Sequence, residues 1–112
     1  MTSTRQYKVS RLLQKELGDI FHREGKSIFA GKMITVTEVR ITPDLGQARI
    51  FLSVFPAAEK ALFEKTMDQH TQHIRYELGN RIRHQLRMVP DLQFFLDDSL
   101  DYIENIDRLL KK

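Results

Sequence analysis

The stretch that decides the fold lies between residues 33 and 55 and has the sequence MITVTEVRITPDLGQARIFLSVF. Two runs that favour strands flank Thr42–Gly46, a predicted turn in which proline fixes φ and glycine can adopt a positive φ. In the second run every second residue is aliphatic, which is typical of a strand with one buried face. In the first run the alternation slips between Val36 and Val39, which predicts a bulge. Together the runs predict an antiparallel hairpin.

An amphipathic helix is predicted before the hairpin. From about Thr4 to Glu24, apolar residues recur at spacings of three and four, which places them on one face of a helix. Glycines at both ends of residues 25–31 then predict a loop.

The chain after the hairpin has a long helical pattern. Pro56 suits the first turn of a helix that begins near Ala57, and apolar residues continue at helical spacing to Leu86. Because a helix of about thirty residues is long for a domain of this size, we expect two helices or one helix with a kink near His70–Gln72.

A third strand and a short last helix are predicted at the end of the chain. Apolar and polar residues alternate from Leu92 to Leu96. Asp98 or Ser99 can cap a helix at about residues 99–110. The expected order is α-β-β-α-α-β with one additional helix, which makes a single α+β domain over residues 1–112.

Composition excludes several classes of protein. A length of 112 residues fits one domain, no run of about eighteen apolar residues is present, and the N-terminus lacks the pattern of a secretory segment. With no cysteine, disulfides and thiolate zinc sites are excluded. Phosphate-binding-loop, nucleophile-elbow and dinucleotide motifs are absent, and His70 and His73 lack a third metal ligand at helical spacing. We therefore expect a cytoplasmic protein without catalytic residues, cofactor, metal or membrane association.

The charge distribution predicts a surface that faces a polyanion. Net charge is only +3, but residues 73–90 contain four arginines and one glutamate, whereas residues 91–107 contain six acidic residues and no lysine or arginine. A basic segment followed by an acidic segment is typical of a protein that binds nucleic acid on one of its surfaces. We expect the acidic last helix to face away from RNA and to pack on the sheet or on the first helix.

Two basic stripes are candidates for phosphate contact, because guanidinium groups pair with phosphates and a tyrosine can stack on a base. The stripe on the second helical stretch consists of Tyr76, Asn80, Arg83 and Arg87. The stripe on the first helix consists of Arg5, Lys8, Arg11 and Lys15. For the stripe on the second helical stretch, an ordinary solvated helix face is an equally good explanation. For the stripe on the first helix, the favoured explanation is that the long lysine and arginine side chains cover the edge of the core. Two such stripes in one small domain still favour nucleic acid.

The order α-β-β-α-α-β is that of a type II KH module, although the chain has no GxxG loop between its paired helices. A closer similarity is carried by Thr35–Leu45 with its TPDL turn, by Ile74–Arg87, and by Pro90–Leu100 with the pattern PDLxFxxDxS. In these stretches the chain resembles the ribosome-binding factor A family, KH-like proteins in which a helix-kink-helix replaces the GxxG loop. The Ala-x-Gly signature of that kink corresponds here to His70-Thr71-Gln72.

The resemblance implies a non-catalytic assembly factor of the small (30S) ribosomal subunit. Members bind the immature subunit late in assembly, help to mature the 16S rRNA including its 5′ end, support growth in the cold and work with assembly GTPases. For this chain the resemblance implies a KH-like RNA-binding domain that is a monomer when free.

The residues that we expect to bind RNA are Lys8, Arg11, Lys15, Arg75, Tyr76, Asn80, Arg81, Arg83 and Arg87. In this hypothesis the cationic side chains neutralise phosphates, and Tyr76 and Asn80 make local contacts. The alternative is a protein-interaction module that docks a partner at the edge of its sheet, with basic faces that serve only solubility.

Overall fold

The computed structural model describes residues 3–29 and 31–97, which form a three-stranded sheet covered by two helices. The elements are α1 (Thr4–Ile28), β1 (Met33–Ile41), β2 (Gln47–Phe55), α2 (Lys60–Ile82) and β3 (Asp91–Leu96). β2 is central and pairs with β1 in antiparallel and with β3 in parallel orientation. This arrangement confirms the predicted α+β class. The predicted last helix at about 99–110 lies outside the described residues.

The hairpin of β1 and β2 has the predicted ends and the predicted bulge. Its register shifts between Val36 and Glu38. Thr37 is the extra residue, and its hydroxyl lies 2.6 Å from the Asp97 carboxylate and 3.2 Å from the Phe51 carbonyl. The bulge restores the alternation, so that Val36 and Val39 both lie on the buried face.

The turn between these strands departs from the prediction at one residue. Leu45, and not Gly46, adopts a positive φ of 61°. The Asp44 carboxylate accepts hydrogen bonds from the Thr42 hydroxyl at 2.6 Å and the Gly46 amide at 3.0 Å, which lower the pKa of Asp44 and fix the turn. A Cβ at position 46 would lie 3.3 Å from a carboxylate oxygen of Asp44, so glycine provides room there.

α1 ends at Ile28, beyond the predicted end at Glu24. Gly25 is buried within the helix, where an added Cβ would lie 3.3 Å from Cδ1 of Ile34 on β1. Glycine therefore allows close packing of the helix on the strand. Because the helix continues past it, the predicted loop at 25–31 is wrong over most of its length.

The first turn of α1 is tied to the end of β1 by Gln6. Ser3 and Gln6 form a capping box, in which the Ser3 amide donates to Gln6 Oε1 at 3.0 Å and the Gln6 amide donates to Ser3 Oγ at 3.1 Å. The Gln6 Nε2 group donates to the Ile41 carbonyl at 3.0 Å. Gln6 is buried, and these three hydrogen bonds all stay within the protein.

α2 begins and ends inside its predicted limits. The helix begins at Lys60, so Pro56 precedes it instead of occupying the first turn. It ends at Ile82, because the chain turns there to reach β3, and the predicted continuation to Leu86 is wrong.

α2 is also a single helix, so of the two predicted arrangements, two helices or one kinked helix, the separate helices are wrong. It continues without interruption through His70–Gln72, which corrects the predicted division. The Thr71 hydroxyl forms its hydrogen bond within the helix, where it donates to the Met67 carbonyl at 2.6 Å. Met67 and Ile74, on either side of this stretch, are buried in one core, and an unbroken helix places both there.

The core lies between the sheet and the two helices. α1 packs on β1, α2 packs on β3, and the helices contact each other. The side chains with no exposed surface include Leu13, Leu17, Ile50, Leu52, Ile74, Leu78 and Ile82. Because strand side chains alternate between faces, the opposite face of the sheet carries the remaining strand residues, among them Arg40, Arg49, Phe51 and Phe95.

Candidate nucleic-acid interface

The exposed side of α2 is one wall of a groove, and residues 87–89 form the other wall. The groove is open to solvent and has a volume of about 580 Å³; its lining residues are Gln72, Arg75, Tyr76, Gly79, Asn80, Arg87, Met88 and Val89. The structure thus brings together Arg75, Tyr76, Asn80 and Arg87, all predicted to bind RNA. The Tyr76 side chain is 67% exposed and presents its ring to solvent.

The two walls lie close together at Gly79. A Cβ at this position would lie 3.2 Å from Cγ2 of Val89. The absence of a side chain therefore lets residues 87–89 lie directly against the helix, and this contact sets the width of the groove.

Arg75 holds the second wall in place. Its Nη2 donates to the Val89 carbonyl at 2.8 Å, its Nε donates to the Pro90 carbonyl at 3.2 Å, and its Nη2 lies 3.4 Å from the Asp91 carboxylate. The side chain is still 43% exposed. Arg75 thus positions the segment that leads into β3 and also leaves part of its guanidinium at the groove.

In the part of the chain that the structure describes, Arg83 at the end of α2 and Arg87 in the second wall of the groove lack acidic partners. Both are exposed. Arg83 is the C-cap of α2 and lies 3.5 Å from the ring of His84. At this end of the helix the backbone dipole favours positive charge, so the helix stabilises a cation that an anion can also approach.

A second hollow connects this surface with α1. It has a volume of about 350 Å³ and is lined by Arg5 of α1, by Asp44 and Leu45 of the hairpin turn, and by residues 85–88. Arg5 and Arg87 therefore lie across one hollow from each other. Arg5 belongs to the predicted stripe of the first helix but lies outside the set of residues that we expect to bind RNA. The 3-3-4 spacing that it shares with Lys8, Arg11 and Lys15 is the sequence signal that points to it.

The basic stripe of α1 extends from this hollow. Lys8, Arg11 and Lys15 follow Arg5 at helical spacing and are all exposed. Arg11 lies 6.0 Å from the ring centre of Tyr7, a cation–π contact at the surface. The stripe of α1 thus begins at the hollow that Arg87 lines, and we call the exposed cations of the two stripes together the basic ridge: Arg5, Lys8, Arg11, Lys15, Arg83 and Arg87.

Arg81 has a different environment from the other predicted residues. Its Nη1 lies 3.3 Å from the Glu16 carboxylate and 3.7 Å from the Asp19 carboxylate, and its side chain is only 22% exposed. These ion pairs join α2 to α1. The structure therefore places Arg81 between the helices and not in the groove.

The three residues at the predicted kink have separate surroundings. Gln72 lines the groove, Thr71 bonds to its own helix, and His70 is half-buried. The neighbouring His73 lies with its Nε2 3.1 Å from the Glu24 carboxylate on α1. This hydrogen bond, with the negative charge of Glu24, raises the pKa of His73.

The described part of the chain lacks two further classes of site. In residues 3–29 and 31–97 no three histidine, aspartate or glutamate side chains are grouped so as to hold a metal ion. Neither α1 nor α2 has the length and apolar character needed to cross a membrane.

The chain is similar to proteins of one family over nearly its whole length. The sequence pattern of the family described as Ribosome-binding factor A matches residues 5–110. The ribosome-binding factor A of Cytophaga hutchinsonii is 42% identical over 112 residues, which is all of this chain and 84% of that protein. That of Flavobacterium psychrophilum is 42% identical over 98% of this chain and 85% of its own length.

The fold is similar to that of a solved structure as well. The crystal structure of ribosome-binding factor A from Thermus thermophilus aligns with a TM-score of 0.67 at 16% identity and covers 81% of this chain and 94% of that one. At this identity the likeness concerns the fold alone. The match of residues 5–110 and the full-length relatives show that this chain belongs to the ribosome-binding factor A family.

Proposed function

We propose that this protein is an assembly factor that binds the immature small (30S) ribosomal subunit and assists late maturation of 16S rRNA, including processing of its 5′ end. It acts by binding and positioning rRNA and catalyses no reaction. The observation that carries this proposal is the basic ridge, because its six cations are all exposed and its two parts meet at the hollow lined by Arg5 and Arg87.

The chemistry of the ridge and the adjoining groove fits folded RNA. Lysine and arginine neutralise phosphates without reading sequence, whereas Tyr76 and Asn80 in the groove can stack on a base and bond to its edge. Arg75 and Arg81 contribute differently, since both are engaged in contacts that position other elements. Of the predicted arginines, Arg83 and Arg87 are therefore the two that we most expect to contact phosphate.

A relative supports the choice of the small subunit. A homology model of the Thermus thermophilus ribosome binding factor A was fitted into a cryo-electron microscopy map of a 30S–RbfA complex. Family membership makes the same subunit the first partner to test for this chain.

The proposal is tested by sedimentation with purified small subunits, large subunits and free rRNA over a series of salt concentrations. We expect selective binding to small subunits that weakens with salt, with a log–log slope of about 0.7 to 0.9 per phosphate contact. The double variant Arg83→Glu/Arg87→Glu should bind at least about tenfold more weakly. Its matched control is Lys60→Glu/Lys65→Glu, which makes the same charge change at exposed positions of α2 away from the groove.

Each result has a definite meaning. No binding to small subunits at any salt concentration would contradict the assembly function. Equal losses in both double variants would show that net charge, and not the ridge, determines binding.

One observation favours the alternative function of a protein-interaction module. β1 is an edge strand, and a hollow of about 540 Å³ beside it is lined by Gly18, Phe21 and other α1 residues together with Met33–Val36. An extended peptide could add to this edge by backbone hydrogen bonds. Such binding would change little with salt, so the same salt series separates the two functions.

A further inference from the structure

The sheet face opposite the helices carries large apolar side chains that α1 and α2 do not cover. Met33 on β1 and Phe55 on β2 are register partners, and both are exposed. Phe51 on β2 pairs with Phe95 on β3, which is exposed as well, and their ring centres lie 5.4 Å apart. We call this surface the outer sheet face: Met33, Arg40, Arg49, Phe51, Phe55 and Phe95. Exposed apolar side chains gathered on one face mark a surface that packs against a further element.

The charged groups near this face leave one arginine without an acidic partner. The Glu38 carboxylate lies 3.2 Å from Nε of Arg40, and the Asp97 carboxylate lies 2.6 Å from the Thr37 hydroxyl. Arg49, the register partner of Arg40, forms no ion pair within residues 3–29 and 31–97. Because two like charges directly opposite each other destabilise a sheet, an acidic group beside Arg49 would stabilise this face.

The residue that precedes the predicted last helix lies on the same face. The Asp97 amide donates to the Leu52 carbonyl at 2.7 Å, so the chain stays beside β2 up to this residue. Asp97 follows Phe95 by two positions, which places both side chains on one side of the sheet. The contact of Asp97 with Thr37 then joins the end of β3 to β1, on the far side of β2. The next residues therefore start at the border of the outer sheet face.

Residues 98–112, which lie outside the described residues, have the sequence DSLDYIENIDRLLKK. At the 100° spacing of the predicted helix, Asp107 is the one charged residue on its apolar side, whereas Asp101, Glu104 and Arg108 lie on the other side. The apolar residues of the first side are Leu100, Tyr102, Ile103, Ile106, Leu109 and Leu110. The segment thus has an apolar side that needs a surface and one acid within that side that needs a cation.

We propose that residues 98–112 turn back after Asp97 and pack as a helix on the outer sheet face, antiparallel to β3. The dimensions agree, because a helix advances about 1.5 Å per residue and a strand about 3.3 Å. A helix that begins near Ser99 brings Ile103 to the level of Phe95. It brings Asp107 to the level of position 93 on β3, whose register partner on β2 is Arg49.

The segment fits this face better than the other occupants or positions do. On the basic ridge its acidic side chains would find cations, but its apolar side would stay in water. A second copy of the chain would have to arrive from solution, whereas residues 98–112 are held beside the face by their covalent link to Asp97. Arg40 covers part of the Phe51 ring, with its guanidinium carbon 5.6 Å from the ring centre. Aliphatic side chains do not need a flat surface, so Phe95 and its neighbours still receive them.

Pairs of introduced cysteines test the position of the segment in the full chain, which has no cysteine of its own. Arg49→Cys/Asp107→Cys should form an intrachain disulfide with oxidised glutathione, because packing brings the two Cβ atoms within reach of each other. The matched control is Arg49→Cys/Arg108→Cys, since residue 108 lies on the charged side of the helix. We expect this control to remain largely reduced. Intact mass spectrometry and non-reducing electrophoresis measure both yields.

The other occupants and positions give different results in the same experiment. Equal yields in the two pairs would overturn the proposal, because a segment without a fixed side presents both positions equally. A higher yield in Lys8→Cys/Asp107→Cys would overturn it by placing the segment on α1. A disulfide-linked dimer of Arg49→Cys/Asp107→Cys would show that a second copy supplies the segment, which also contradicts the proposal.

Fluorescence tests the apolar contact independently of any disulfide. The chain contains no tryptophan, so Phe95→Trp introduces a single fluorophore on the outer sheet face. Adding Ile103→Asp should shift its emission to longer wavelength, because the helix then leaves the ring in water. Asn105→Asp, which adds the same charge on the charged side of the helix, is the matched control and should cause no shift. An unchanged emission maximum in the Ile103→Asp variant, or the same shift in both variants, would overturn the proposal.

Discussion

Replacement of Arg75 tests whether this side chain holds the second wall of the groove. Arg75→Lys keeps the positive charge, but one ammonium cannot reproduce the fork that bonds Val89 at 2.8 Å and Pro90 at 3.2 Å. Arg75→Met keeps much of the stem and loses both hydrogen bonds. A hydrogen bond of this kind contributes about 1 kcal/mol net, and more in buried charged pairs. Since Arg75 is 43% exposed, the lower value applies.

The expected loss in the free energy of unfolding is therefore about 1 kcal/mol for Arg75→Lys and about 2 kcal/mol for Arg75→Met. The ion pair with Asp91 adds little, because Asp91 is largely exposed. Urea unfolding followed by circular dichroism should show midpoint shifts of about 0.5 M and 1 M with unchanged slope. Hydrogen exchange should accelerate at residues 87–91 and not in β1. A lysine variant with the wild-type midpoint, or with the same loss as methionine, would refute this reasoning.

Three further predictions concern the core, one pH-sensitive contact and a helix cap. Ile74→Ala removes a fully buried side chain and should lower the free energy of unfolding by about 2–5 kcal/mol, measured by urea unfolding. The hydrogen bond to Glu24 raises the pKa of His73, so its contribution to stability is complete below the ordinary value near 6.5 and is lost as pH rises through the raised pKa. The urea midpoint of the wild type should therefore fall over this range relative to His73→Gln, and parallel curves would contradict the contact. Gln6→Ala removes the bond from the Ser3 amide to the Gln6 side chain and leaves the Ile41 carbonyl without its donor, whereas the bond from the residue 6 amide to Ser3 Oγ stays. The loss should be about 2 kcal/mol in the free energy of unfolding, and a loss below about 0.5 kcal/mol would show that water replaces the amide.

The elements that depend on local patterns were predicted from the sequence. The hairpin ends and the bulge near Thr37 follow from alternation over adjacent residues, and the structure confirms them. The ends of the helices were not predictable in this way. Gly25 is a usual signal for a loop, but its contact with Ile34 on β1 keeps it helical, and no local pattern contains that contact.

The sequence predicted which residues lie at the site better than it predicted how their side chains are arranged there. Helical spacing brought Tyr76, Asn80 and Arg87 together, and the structure places all three along one groove. Spacing could not show that Arg81 turns toward acidic residues of α1, since those residues lie more than sixty positions earlier. It also could not show that Arg5 and Arg87 line one hollow, because only the folded chain brings the start of α1 next to the segment that follows α2.

The parallel pairing of β2 with β3 has a consequence for the order of folding. In the antiparallel hairpin, the chain between the paired strands is a turn of five residues, Thr42–Gly46. Between β2 and β3 the intervening chain includes the whole of α2, because Asp91 pairs with Gln47. Closing the longer loop costs about 2 kcal/mol more in chain entropy. We therefore expect β3 to be the last strand to join the sheet and the first to leave it. Since β3 continues directly from the second wall of the groove, we expect the groove to form only when the sheet is complete, and a chain that has lost β3 from the sheet to lack it.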